Sequence, residues 1–175
     1  MPEGTRILVV DDDTFLRMLV SMTITGADVL EATRIDEAYE LARTERPDAI
    51  LLDLRLPDGD GLDLLRRIRR TASIARTPVL VITAGHDEAN RAETVRAGAD
   101  EYLAKPIEAE DLADRLQRLL DLDPTERRPR RREILRQLEV DHVIGDPDPP
   151  VDHTGGDLLG GEEVGKRRGL FHRRR

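Results

Sequence analysis

The sequence predicts an α/β fold over residues 6–121, a five-stranded parallel sheet with helices on both faces. Short apolar runs alternate five times with stretches whose apolar residues recur at helical spacing. The strongest runs contain VV, AILL and VLVI, and such continuous apolar runs are typical of strands buried on both faces. Parallel strands require crossover connections, and each crossover helix covers one face of the sheet.

The predicted elements alternate along the chain, with a strand first. The strands are assigned to Arg6–Asp11, Ala27–Glu31, Asp48–Asp53, Pro78–Thr83 and Glu101–Ala104. The helices are assigned to about Asp13–Ile24, Asp36–Glu45, Asp60–Arg70, Asp87–Ala97 and Glu108–Leu120. Asp13, Asp36 and Asp60 are predicted N-caps, because a short acidic side chain accepts hydrogen bonds from the free amides of the first turn. Gly98 is predicted to end the fourth helix.

The composition excludes several classes of protein. Only four of the 175 residues are aromatic (Phe15, Tyr39, Tyr102 and Phe171), too few for a surface on which single-stranded nucleic acid stacks. The absence of cysteine excludes disulfides, thiolate metal sites and cysteine nucleophiles. No apolar run is long enough to span a membrane and the first residues lack a secretion signal, so we expect a soluble, cytoplasmic protein.

Charge and composition change after residue 123. Residues 1–123 carry 16 basic and 26 acidic side chains, whereas residues 124–175 carry 12 basic and 10 acidic ones. We predict a folded domain over 1–123 and a mostly disordered extension over 124–175, with Glu133–Glu139 as a candidate short helix. Residues 145–161 are rich in Pro, Gly and Asp and cannot form a core.

Two basic clusters lie in the extension, at Arg127–Arg132 and Lys166–Arg175. They have three interpretations: a solvated tail, a patch that binds an acidic protein or RNA, or a segment that folds back onto the acidic domain. Nucleic-acid binding is expected only through these clusters, since the long-range field of the domain repels polyanions.

Chemistry-bearing residues follow the predicted strands. Asp11–Asp13 follow the first strand, Asp53 ends the third, Thr83 ends the fourth, and the fifth leads to Lys105. The carboxyl ends of parallel strands meet at one edge of the sheet, where ligands of this architecture bind. Oxygen ligands without His or Cys select Mg²⁺ or Ca²⁺. A Lys and a Thr beside a carboxylate and a divalent ion indicate a site that handles phosphoryl groups.

Each of these residues also has a purely structural interpretation. The acids after the first strand are then solvated strand ends, Asp53 caps the next loop, Thr83 is an ordinary strand end, and Tyr102 is core packing. Lys105 favours function, because it is one of only two lysines in a chain whose other 26 basic residues are arginine. A compact ammonium suits a phosphoryl group as a point charge.

Four motifs in order, ILVVDDD, AILLDLRLPDGDGLDLL, VLVITAG and EYLAKPI, resemble the receiver domain of two-component response regulators over residues 6–121. The resemblance implies the (βα)5 flavodoxin-like receiver fold. It also implies that Asp53 is the phosphoacceptor and that Thr83 and Lys105 hold the phosphoryl oxygens.

The resemblance further implies a Mg²⁺ site made by the acidic pair Asp11 and Asp12, by Asp53, and by the backbone carbonyl of Arg55. Tyr102 is expected to turn inward together with Thr83 on activation. The peptide bond between Lys105 and Pro106 is expected to be cis.

The function implied is that of a response regulator rather than an enzyme. The catalytic activity expected of it is at most self-dephosphorylation. A sensor histidine kinase or phosphotransfer protein is the expected phosphoryl donor. Phosphorylation would switch a face made by the fourth helix, fifth strand and last helix of the domain, where an output protein or a second copy binds. Two alternatives stay open: a docking module that works without phosphorylation, and a binder of nucleic acid or acidic partners through the Arg-rich tail.

The sequence also departs from the family. The first helix and its following turn are about three residues shorter than usual, so we expect altered kinase docking at that helix. Arg55 and Gly85 occupy the two variable positions that tune water access to the phosphoryl group, so dephosphorylation is expected to depend on them.

Overall fold

The computed structural model of this protein describes residues 4–84 and 88–144. The chain divides into two units, Met1–Gly145 and Asp146–Arg175, and all described residues belong to the first. Its strands are β1 (Arg6–Val10), β2 (Asp28–Ala32), β3 (Ala49–Asp53), β4 (Arg55–Leu56), β5 (Gly59–Asp60), β6 (Val79–Ala84) and β7 (Glu101–Lys105). Its helices are α1 (Thr14–Thr23), α2 (Ile35–Glu45), α3 (Gly61–Arg70), α4 (Glu88–Ala97), α5 (Ala109–Asp121) and α6 (Arg127–Ile144).

The main sheet has five parallel strands in the order β2-β1-β3-β6-β7, which confirms the predicted fold class. β4 and β5 form a separate two-stranded antiparallel hairpin that was not predicted. Because β1 is flanked by β2 on one side and β3 on the other, the strand order reverses beside β1. A crevice opens at such a point beyond the carboxyl ends of the strands.

Both faces of the sheet are covered by helices. Leu8 and Val10 of β1 belong to a core that includes apolar side chains of α2 and α3. Ile7 and Val9, which point to the opposite face, belong to a second core with α1 and α5. Alternate residues of one strand are therefore buried on opposite sides, which explains why the strands are continuously apolar.

Two of the three predicted helix caps are confirmed. The carboxylate of Asp13 accepts a 2.8 Å hydrogen bond from the amide of Phe15, and that of Asp60 accepts one from Leu62 at the same distance. The prediction for Asp36 was wrong, because α2 begins one residue earlier, at Ile35. The amide of Ile35 instead donates to the carboxylate of Asp58, a residue distant in sequence.

The turn after α1 is short, as expected. α1 ends at Thr23, the amide of Ile24 donates to the carbonyl of Val20, and β2 begins at Asp28. Gly26 has a φ of 86°, a left-handed conformation that glycine adopts without strain and that lets the chain reverse within this turn.

The predicted disorder after residue 123 requires correction for its first part. Arg127–Ile144 form the helix α6, which packs against α4 and contains the candidate helix Glu133–Glu139. Arg127 is only 9% exposed, and its guanidinium donates to the carbonyls of Arg76 and Leu122. Burial of this arginine and of Leu138 attaches the helix, although the segment is too polar to form a core of its own.

The basic cluster Arg127–Arg132 therefore follows one of its three interpretations. Arg130 pairs with Glu101 at 2.6 Å and Arg131 with Asp100 at 2.5 Å, so this part of the segment folds back onto the acidic domain. The second cluster, Lys166–Arg175, lies outside the described residues. Within residues 4–84 and 88–144, no helix has both the length and the apolar character that crossing a membrane requires.

Candidate functional site

Strand register brings most of the predicted site residues to one edge of the sheet. Val10 of β1 pairs with Leu52 of β3, so Asp11 and Asp53 emerge side by side at the carboxyl ends of the two strands. In β6 and β7, Thr83 pairs with Ala104, one residue before Lys105. Asp11, Asp53 and Thr83 are 0%, 5% and 6% exposed, so the site is built of buried polar groups.

Lys105 joins the two buried carboxylates. Its Nζ donates to Oδ2 of Asp53 at 2.6 Å and to Oδ2 of Asp11 at 2.9 Å. The other oxygen of each carboxylate accepts a backbone hydrogen bond, from Asp13 for Asp11 and from Arg55 for Asp53. Both carboxylates are therefore fixed in orientation, with one oxygen on the ammonium and one on an amide.

The charges of this cluster do not cancel. Burial raises the pKa of Asp11, the charge of Asp53 adds to the rise, and the hydrogen bonds from Lys105 and Asp13 oppose it. Burial also disfavours the ammonium of Lys105, but its bonds to Asp53 and Asp11 outweigh this and raise its pKa. Two carboxylates and one ammonium leave an excess negative charge that a further cation would neutralise.

The residues present fit a hard divalent cation. Asp12 is exposed beside Asp11, and the predicted ligands supply oxygen only, the donor type that Mg²⁺ prefers. Among the residues that the structure describes, no three acidic or histidine side chains converge on one point as a metal cluster would. The ammonium of Lys105 holds the space between Asp11 and Asp53 instead.

Thr83 and Tyr102 line one cavity of about 700 Å³ next to the acidic cluster. Arg55, which is exposed, lines the same cavity, and Tyr102 is half-buried. A movement of either side chain into this cavity would therefore change the space available to the other. Gly85, the remaining predicted position, lies outside the described residues. The Lys105-Pro106 peptide bond is cis, as expected.

Two residues that position the site were missed at the level of sequence. Arg17 of α1 donates to the carbonyl of Asp11 at 2.9 Å and pairs with Glu31 of β2 at 2.7 Å, so it fixes the backbone at the end of β1. Gly61 lies so close to the backbone of Asp53 that a Cβ there would collide with the Asp53 carbonyl oxygen. The second glycine of the GDG sequence was a detectable signal for this approach, whereas nothing local indicated Arg17.

A sequence model of the response regulator receiver domain matches residues 7–117, well over half of the chain. This chain belongs to the response regulator receiver domain family. The resemblance noted from four motifs is thereby confirmed. Family members act in signalling, receive their phosphoryl groups from histidine kinases or phosphotransfer proteins, and generally use a phosphorylated aspartate and Mg²⁺.

Individual relatives agree with this family assignment. The receiver domain is 34% identical over 119 residues to the phosphate regulon transcriptional regulatory protein PhoB of Pseudomonas aeruginosa, covering 67% of this chain and 52% of that protein. It is 36% identical over 114 residues to the KDP operon transcriptional regulatory protein KdpE of Escherichia coli, covering 64% and 49%. The chain thus spans about half the length of the curated relatives it matches.

Solved structures support the receiver fold as well. A response regulator structure from Chloroflexus aurantiacus superposes with a TM-score of 0.66 at 31% identity, covering 69% of this chain and all of that one. The superposed part of this chain therefore corresponds to the whole of the solved Chloroflexus aurantiacus chain.

Proposed function

We propose that this protein is a phosphorylation-dependent response regulator whose phosphoacceptor is Asp53. The observation that carries the proposal is the bridge from Lys105 to Asp53 at 2.6 Å and to Asp11 at 2.9 Å. This arrangement brings three groups together at the switch point of a parallel sheet: a carboxylate nucleophile, a second buried carboxylate and the ammonium of Lys105.

In the proposed reaction, an oxygen of Asp53 attacks the phosphorus of a phosphohistidine on the donor protein. The new bond is O–P, the bond that breaks is N–P, and the imidazole leaves with the electron pair of that bond. Lys105 moves with the phosphoryl oxygens as a counter-ion, and the hydroxyl of Thr83 donates a hydrogen bond to them. Asp11, Asp12, Asp53 and the carbonyl of Arg55 would hold Mg²⁺, which when bound neutralises charge on the transferring group.

The donor is proposed to dock on α1. Phe15, Met18 and Met22 are spaced three and four residues apart on this helix and are 73%, 57% and 73% exposed. Leu19 and Met22 also line a mostly apolar groove of about 410 Å³ between α1 and α5. An exposed apolar stripe next to the acidic edge suits a helical phosphotransfer partner.

The output is proposed to pass through α4, β7 and α5, the face that Thr83 and Tyr102 would remodel. In this chain part of that face is already covered, because α6 packs against α4 and Arg130 pairs with Glu101 at the start of β7. We therefore place the receiver domain at residues 1–123, with α6 as an accessory helix bound to it. The output partner, or a second copy, would contact α6 or displace it.

The two alternative functions have less support. A docking module independent of phosphorylation gives no reason for a lysine between two buried carboxylates. For a binder of nucleic acid or acidic partners through the Arg-rich tail, three arginines of the first cluster, Arg127, Arg130 and Arg131, are already engaged with the domain itself. The second cluster lies outside the described residues.

Phosphorylation by acetyl phosphate, followed by intact mass, tests the proposal. The native chain should gain one phosphoryl group in the presence of Mg²⁺ and none in EDTA. Asp53→Asn should abolish the adduct, whereas Asp63→Asn, which alters an exposed carboxylate on α3, should leave it unchanged. A native chain that is folded and binds Mg²⁺ but gains no phosphoryl group would contradict the proposal.

A further inference from the structure

An arginine-lined cavity lies at the end of the domain opposite the acidic cluster. It has a volume of about 620 Å³ and lies between α6, the residues that follow α3, and the end of α4. Six arginines line it: Arg69, Arg76, Arg96, Arg128, Arg131 and Arg132. None of its lining residues is acidic, although the chain as a whole carries a net charge of −8.

Two of these arginines are part of the framework. Arg69 pairs with the buried Asp100 at 2.7 Å, Arg131 pairs with it at 2.5 Å, and both donate to the carbonyl of Gly98 at the end of α4. This network balances the buried carboxylate and the carbonyl end of the helix. Together, Arg69 and Arg131 carry one more positive charge than the carboxylate of Asp100 balances.

Three further arginines add charge without a carboxylate partner. Within the part of the chain that the structure describes, no acidic side chain forms an ion pair with Arg76, Arg128 or Arg132. All three are exposed and line the cavity. Several guanidinium groups around one concavity repel one another unless an anion lies between them.

The electrostatics of Arg69 are consistent with this excess of positive charge. The pKa of Arg69 is lowered to about 10, chiefly by burial; the charge of Asp100 opposes the change, and the charges of Arg131 and Arg127 contribute to it. Two neighbouring positive charges thus act on Arg69, and an anionic ligand would reduce their repulsion.

The shape of the cavity specifies the kind of anion. Its volume falls within the range of small-molecule sites, and part of its lining is apolar. The apolar lining residues are Ala72, Ala75, Val95, Ala97 and Leu135. Guanidinium groups bind phosphate with two parallel hydrogen bonds. A cavity lined by several arginines and by apolar residues therefore suits a ligand that has both phosphate groups and an uncharged part.

We propose that this cavity binds a small organic molecule that carries two or more phosphate groups, of the nucleoside polyphosphate class. Arg128 and Arg132 would contact the phosphates from α6, and Arg76 from the residues after α3. Because the ligand would bridge α6 to the domain, its binding would also hold α6 against α4. This site is independent of Asp53, whose carboxylate lies at the other end of the strands.

Calorimetric titration of the full-length chain tests the proposal, with ATP and inorganic tripolyphosphate as probes. EDTA in the buffer removes divalent ions, so that the acidic cluster does not recruit metal–phosphate complexes. The native chain should bind ATP saturably at one site. Arg128→Gln with Arg132→Gln should weaken binding by roughly tenfold or more, which corresponds to a loss of at least about 1.4 kcal/mol.

A matched control lies on α2 and α5. Arg43→Gln with Arg118→Gln makes the same change in net charge and should leave the affinity for ATP within about twofold, because both arginines are exposed and neither lines the cavity. An equal loss in both double variants, or no saturable binding of either probe to the native chain, would overturn the proposal. Tight binding of tripolyphosphate but not ATP would reject an organic ligand. Circular dichroism of each variant verifies that the fold is intact.

Discussion

The ammonium of Lys105 lies 2.6 Å from a carboxylate oxygen of Asp53, although the two residues are separated by 52 positions in the sequence. The same ammonium contacts Asp11, which is completely buried. One flexible side chain at the edge of the sheet thus balances two fixed acids that emerge from neighbouring strands. The stability of this edge and its proposed chemistry depend on the same three charges.

Replacing Lys105 with Met should destabilise the protein. Without its ammonium, Asp11 and Asp53 repel each other in a buried setting. We expect the free energy of unfolding in EDTA to fall by about 1–3 kcal/mol. This is less than the roughly 3–5 kcal/mol for breaking a fully buried pair, because the Lys105 side chain is 25% exposed. Urea denaturation measures the change. Addition of Mg²⁺ should restore part of the loss, and stability equal to that of the native chain in EDTA would contradict this account.

Asp11→Asn should have the opposite effect on stability. Asparagine has nearly the same shape and still accepts the amide of Asp13, but it removes a buried charge. Because burial raises the pKa of Asp11 above its ordinary value of 3.8, the folded state disfavours its ionised form. Ionisation of this group therefore lowers the stability as pH rises from its unfolded-state pKa through its folded-state pKa. Near neutral pH we expect the variant to gain about 1 kcal/mol.

The check on Asp11→Asn is a pair of measurements on one sample. Urea denaturation in EDTA should show the gain in stability, and titration with Mg²⁺ should show weaker binding. Asp48→Asn serves as a control, because Asp48 is exposed and lies at the opposite end of the strands. A variant that loses stability in EDTA would show that the charge of Asp11 contributes favourably to the fold.

Gly61→Ala should displace the end of β3, which carries the proposed phosphoacceptor. A Cβ at this position would collide with the backbone carbonyl of Asp53, which cannot move without shifting β3. We expect a loss of about 1–3 kcal/mol in the free energy of unfolding. Slower phosphorylation by acetyl phosphate should accompany the loss. At Gly59 the nearest atom to an added Cβ is the flexible end of Ile35, so relief by side-chain movement is available there.

Gly59→Ala is therefore the comparison for Gly61→Ala, with thermal denaturation and phosphorylation rate as the two readouts. The Gly59 variant should lose stability because of its backbone conformation, at a φ of 156°, while keeping a larger share of its phosphorylation rate. Equal phosphorylation rates in the two variants would show that the approach to Asp53 does not position the site.

Arg131→Gln should loosen α6. The substitution removes the 2.5 Å ion pair to the buried Asp100 and the bond to Gly98, although Arg69 still balances Asp100. We expect the local free energy of opening of α6 to fall by about 1–2 kcal/mol. Hydrogen exchange of the α6 amides should become correspondingly faster, while exchange in β1 and β3 stays unchanged.

Arg136→Gln is the matched control for α6. Arg136 is an exposed arginine on the same helix, and within the described residues its ion-pair partner is Glu133, one turn away. This variant should exchange at nearly the native rate, because exposed pairs within a helix contribute little. Equal acceleration in both variants would mean that helix propensity, rather than contact with the domain, keeps α6 in place.

The sequence alone determined the sheet and the identity of the residues at its edge. Strands buried on both faces must be apolar throughout, and the crossover topology brings their carboxyl ends together, so Asp11, Asp53, Thr83 and Lys105 were predictable as neighbours. Local capping was also readable for Asp13 and Asp60, because a cap acts within its own first turn.

Tertiary structure decided the features that depend on distant partners. The helix α2 begins at Ile35 rather than at the predicted Asp36, because the carboxylate of Asp58, in another loop, accepts a hydrogen bond from the amide of Ile35. The helix Arg127–Ile144 is held on the domain because Arg127 donates to backbone carbonyls and Arg130 and Arg131 pair with Glu101 and Asp100, although the segment itself lacks an apolar core. Sequence patterns record periodicity and local hydrogen bonds, whereas such long-range ion pairs and close backbone approaches, as at Gly61, exist only after the chain has folded.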